Sequence, residues 1–190
     1  CTTMEYPEDL KWITFNLRDD VTFADGPPMT AEDVLFSFNL FLEQGITEYR
    51  RIVEGFIEDV EIVDDHTITF TFTDQAPIRE RVGFAGGTPV FSKAWFEETG
   101  TRLDDSSEEP FMSTGAYVLE SKDFNRQIVY AKNPDYWGTP AQLESATFKF
   151  ISDPTAAFAA MMAEDLDVFV AFPAPENLPQ FDADPRFKVL

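Results

Sequence analysis

The stretch Phe23-Ala24-Asp25-Gly26-Pro27-Pro28-Met29-Thr30-Ala31-Glu32-Asp33-Val34-Leu35-Phe36-Ser37-Phe38 leaves the backbone little choice. Asp25-Gly26 is a turn pair, because glycine accepts a positive φ without steric cost. Pro27-Pro28 stiffens the exit and cannot continue a strand ladder. Thr30 is a helix N-cap whose hydroxyl is expected to accept from the N–H of Glu32 or Asp33. Those two acids also lie at the positive end of the helix dipole. Asp33 stands where a capping box has Glu or Gln, so the box is approximate. Val34, Leu35, Phe38, Phe41 and Leu42 then recur at helical spacing as one wide apolar face. The stretch is a strand end, a turn and a capped helix, and nothing in it is catalytic.

The elements around this corner are strands. Ile13, Phe15 and Leu17 alternate with Trp12, Thr14 and Asn16, and Val21-Thr22-Phe23 reads as a second short strand. Ile68, Phe70 and Phe72 alternate with Thr67, Thr69, Thr71 and Thr73. Paired with Ile57 to Val63 across Asp64-Asp65-His66, they form an antiparallel hairpin with one buried face. A short helix is expected over 49–56, and 83–89 is too rich in glycine for regular structure. Lys93 to Glu98 reads as a helix stopped at Gly100. The acidic run 103–110 reads as a surface loop and the best internal boundary.

A second sheet is expected from Gly115 to Glu120, Arg126 to Lys132 and Ala146 to Ile151. The turn Asn133-Pro134-Asp135-Tyr136-Trp137-Gly138 carries two large aromatics, which are expected to pin it to the sheet. Asp153-Pro154 starts a helix, an N-cap followed by Pro at the first helical position. Leu166 to Phe172 reads as a nearly all-apolar strand buried on both faces, 176–181 as a weak helix, and Phe187 to Leu190 as a further strand. The last strand is cut off as it begins, which suggests a piece of a longer polypeptide.

Chemistry is scarce. With 35 acidic against 14 basic residues the formal charge is −21, which argues against nucleic acid and anionic membrane surfaces. The single cysteine, Cys1, excludes an intrachain disulfide and leaves lipid anchoring open. No run is long and apolar enough to span a bilayer. Nucleophilic catalysis with histidine has only His66 to draw on, in an acidic turn, and a transition-metal site lacks its Cys and His ligands. Carboxylate pairs are too abundant to be informative. The remaining resource is aromatic. Phe169 and Phe172 end the apolar strand just before Pro173-Ala174-Pro175, where ligand clefts form at domain junctions. Core packing is the competing reading of both.

Five segments in series carry a resemblance: Trp12-Ile13-Thr14-Phe15-Asn16-Leu17-Arg18; Phe23-Ala24-Asp25-Gly26 with Thr30-Ala31-Glu32-Asp33-Val34; Ser113-Thr114-Gly115-Ala116-Tyr117; Asn133 to Gly138; and Leu166-Asp167-Val168. In that order and spacing the chain resembles the family 5 extracellular solute-binding proteins of ABC importers, the oligopeptide, dipeptide and nickel-binding class. Gly87 to Phe96 further looks like the microcin C/oligopeptide branch. The resemblance implies an α/β fold (α+β mixed), part of a two-lobed periplasmic-binding-protein-like architecture of class II with an extra small subdomain. It implies residues 1–112 as the small subdomain of the first lobe, 113–172 as the part leading to the hinge, and 173–190 as the start of the second lobe. The family's N-terminal strands and most of its second lobe are expected to be missing from these 190 residues. It also implies a receptor that catalyses nothing and uses no cofactor or metal. Such a receptor is periplasmic or otherwise extracytoplasmic, monomeric at full length, and delivers an oligopeptide or similar small solute to ABC permease subunits. Tyr49, following the helix of the small subdomain, is carried over from the family as a ligand-contacting aromatic. Receptors of the same fold for nickel, haem or oligosaccharide, and a secreted hydrolase with a carboxylate pair, are the alternatives.

Overall fold

The computed structural model describes residues 1–44, 54–79, 81, 87, 89–103, 112–169 and 175–189. It divides into two compact units, Cys1–Leu119 with Ala131–Ser145, and Glu120–Tyr130 with Ala146–Leu190.

In the first unit, β1 (Thr3–Glu5), β2 (Trp12–Asn16), β3 (Ile57–Asp64) and β4 (Thr67–Phe72) form an antiparallel sheet in the order β1-β2-β4-β3. Its register places Ile13 opposite Phe70, Phe15 opposite Ile68, and Val60 opposite Phe70. The alternation predicted for β4 is therefore real, with Ile68, Phe70 and Phe72 buried at 0%, 3% and 3% exposure. Helix α1 (Ala31–Gln44) lays Ala31, Phe38, Val34, Leu35 and Leu42 into the same cluster. Phe70 sits at its centre, with ring centroids 6.0 Å from Phe15 and 5.7 Å from Phe38, both edge-on. On the other face the threonines face acids, Thr67 opposite Asp64, Thr69 opposite Glu61 and Thr71 opposite Asp59. The Thr14 and Thr69 hydroxyls bond there at 2.8 Å.

The corner before α1 is tighter than expected. Val21 to Phe23 is not a strand, since only Thr22 bridges, to Pro28. The Phe23 N–H instead donates to the Pro27 carbonyl (2.8 Å), the Met29 N–H to Val21 (2.9 Å), and the Gly26 N–H to Phe23 (2.9 Å). The chain folds back on itself and so uses the groups that a neighbouring strand would need. Gly26 has φ +107°, a conformation that costs a side-chain-bearing residue about 1–3 kcal/mol. Gly26→Val is expected to lower the unfolding free energy by about that amount. Ala24→Val is the control in the same urea titration, and equal midpoints for the two variants would contradict the assignment.

The cap of α1 also differs from expectation. The Thr30 hydroxyl does not accept from the helix. It donates to the Asp33 carboxylate (3.2 Å), as does the Thr30 N–H (2.9 Å). The other Asp33 oxygen accepts the Lys93 N–H at 2.9 Å. Ser37 adds a second tie, donating to the Asp33 carbonyl (2.6 Å) and accepting the Phe91 N–H (2.7 Å). Asp33 and Ser37 are both buried. They fasten α1 to the entry of α2 (Lys93–Thr99), which is capped by Ser92 and closed by Gly100 at φ 67°. Leu40, Trp95 and Phe96 form a second apolar cluster there with Phe36, Phe91, Leu103 and Met112. Removing the carboxylate leaves the half-buried Thr30 and Lys93 N–H groups without their acceptor, at up to about 1–3 kcal/mol. Asp33→Ala should therefore unfold at lower urea than Asp33→Asn, which keeps one acceptor; equal stability of the two would count against the clasp.

The second sheet has the order β5-β6-β7, from Tyr117–Asp123, Gln127–Lys132 and Ser145–Lys149. In the second unit α3 (Pro154–Met162) follows its Asp153 cap, which accepts the Ala156 N–H at 2.7 Å, with Pro154 at the start as expected. A 3-10 turn (Pro175–Asn177) leads into α4 (Leu178–Asp182). Phe181 is buried against Phe158 and Phe187, both with centroids at 5.2 Å.

Two expected strands are absent in the parts of them that are described. Residues 166–169 are not a strand, and Val168 is 74% exposed. A strand buried on both faces needs a partner on each side, and among the described residues nothing pairs with this segment. Residues 187–189 are likewise not a strand, for the same lack of a partner. The expected start of a helix at Tyr49, most of the glycine-rich stretch 83–89 and the acidic loop 104–110 lie outside the described residues.

Candidate functional site

Of the three aromatic ligand candidates, Phe169 alone falls among the described residues. Tyr49 and Phe172 lie outside them. Phe169 is half-buried, in irregular chain just after the exposed Val168. The segment reaches it from α3 through a tight turn. Glu164 takes a positive φ of 61°, the Asp165 N–H donates to the Ala160 carbonyl at 3.0 Å, and Lys149 Nζ donates to the Asp165 carbonyl at 2.9 Å.

Two acidic side chains near this turn are drawn together by Arg186, which the sequence reading did not single out. The Arg186 guanidinium donates to Glu164 (2.8 Å) and, through Nε and a terminal nitrogen, to Asp184 (3.2 and 2.8 Å). This bidentate pair holds the Asp184 carboxyl below the ordinary carboxylate range and raises the Arg186 guanidinium above its own. Arg186 is also stacked on Phe187, with its Cζ 5.1 Å from the ring centroid. Its pairing was not legible because Glu164 lies 22 residues away and no periodic pattern relates the two.

In the first unit, the turn aromatics serve structure. The Trp137 indole N–H donates to the Thr114 carbonyl (3.0 Å), and Arg18 lies 5.0 Å from the Trp137 centroid. The Asn133 amide donates to the Gly115 carbonyl at 2.9 Å. The turn is pinned to the chain entering β5, as its two aromatics suggested. Arg18 is itself paired with Asp20 at 2.6 Å, and that hydrogen bond lowers the Asp20 carboxyl from its ordinary value.

Among the described residues no group of three or more His, Cys, Asp or Glu could hold a metal ion. No helix among them is long and apolar enough to cross a membrane.

Comparison with known proteins places the chain among relatives. The family model for bacterial extracellular solute-binding proteins, family 5 Middle, matches residues 2–189. The protein of Agrobacterium fabrum named "Probable peptide-binding protein YejA" is 29% identical over 179 residues, covering 86% of this chain and 28% of its own length. Peptidoglycan-binding protein YepA of the same organism is 27% identical over 174 residues, covering 88% of this chain and 28% of its own. Among solved structures, the binding protein MoaA from A. tumefaciens R10, in complex with mannopinic acid, is 26% identical with a TM-score of 0.81. That match covers 97% of this chain and 37% of the MoaA chain. The chain therefore spans little more than a quarter of the length of the curated relatives it matches. The expected mixed α/β binding-protein fold is shared with these structures.

Proposed function

Since the chain belongs to the bacterial extracellular solute-binding proteins, family 5, a family of binding proteins and not of enzymes, we propose that the complete protein is a receptor for a peptide or peptide-like solute. The observation that carries this reading is the family match over residues 2–189, with a relative named for peptide binding covering 86% of the chain. The complete receptor works outside the cytoplasm as a monomer and hands its solute to the permease subunits of an ABC importer. Residues 1–112 form the small subdomain of its first lobe, 113–172 lead to the hinge, and 173–190 open the second lobe. Closure of two lobes about a hinge traps the solute. Tyr49, Phe169 and Phe172 supply aromatic surface to it.

The test is a thermal-shift screen of the full-length protein against short peptides, muropeptides, nickel, haem and oligosaccharides. A ligand that binds only the folded state raises the melting temperature by mass action. Peptides or muropeptides are expected to do so. A shift with nickel, haem or sugar and none with peptides would reject the peptide reading and leave a receptor of the same fold for another solute.

A further inference from the structure

We draw no further inference here: the strongest candidate, the exposed apolar patch of Phe148 on β7 with Phe150 just beyond it, is an unpartnered sheet face, and nothing in the structure shows what covers it.

Discussion

Phe70→Ala is expected to lower the unfolding free energy by about 3–5 kcal/mol, the range for truncating a buried phenylalanine. The ring is 3% exposed and sits where three elements meet, edge-on to Phe15 of β2 and to Phe38 of α1. Its backbone lies between Ile13 on one side and Val60 on the other. Truncation removes the transfer free energy of the ring, two aromatic contacts, and the packing of whatever cannot collapse into the space. A domain holds only about 5–15 kcal/mol in total, so this one change threatens the whole four-stranded sheet. Phe70→Leu keeps most of the volume and should recover a large part of the loss. Urea unfolding followed by tryptophan fluorescence measures both. A loss below about 1 kcal/mol for Phe70→Ala would place the centre of the core elsewhere.

What the sequence made legible follows from the range of the interactions. Strand β4 was readable because a period of two needs only its own residues, and Ile68, Phe70 and Phe72 keep it without a break. The start of α3 was readable because Asp153 and Pro154 act within one turn. The three-residue β1 was not, since all of it is exposed and a short edge strand leaves no apolar alternation. Asp33 was seen as a charge at a helix start, but its bond to the Lys93 N–H spans 60 residues, and no local pattern records that. The strand expected over Leu166 to Phe172 shows the opposite error in its described part, 166–169. Its apolar composition is real, but composition does not supply the neighbours that a doubly buried strand must pair with. Of the candidate site, Phe169 and Phe172 came from their place at the end of an apolar stretch and Tyr49 only from the family resemblance. Ligand contacts converge from distant parts of a chain, and here only Phe169 of the three falls among the described residues.

Arg81→Met is expected to cost about 1.5–3 kcal/mol, the range for losing hydrogen bonds made by a charged group. Arg81 is 6% exposed. It donates from Nε to the Ala76 carbonyl (2.9 Å) and from its two terminal nitrogens to the carbonyls of Asp9 (2.8 Å) and Thr73 (3.1 Å). Its Cζ lies 5.9 Å from the Phe72 ring centroid. One planar fork thus joins the chain before β2, the end of β4 and the turn that follows. Methionine matches the length and apolar stem but leaves three carbonyls without their donor, and of these the buried Ala76 carbonyl is the costliest, since a buried polar group left unmatched costs about 1–3 kcal/mol. The three losses are not additive, because the segments relax together once the fork is gone. Arg81→Lys separates charge from geometry. A lysine ammonium is a point donor on a flexible stem and cannot span three acceptors in one plane. It should therefore regain only part of the stability. Urea midpoints at constant slope would rank wild type above lysine and lysine above methionine. Lysine equal to wild type would show that charge alone suffices, and methionine within about 0.5 kcal/mol of wild type would remove Arg81 from the framework of the fold.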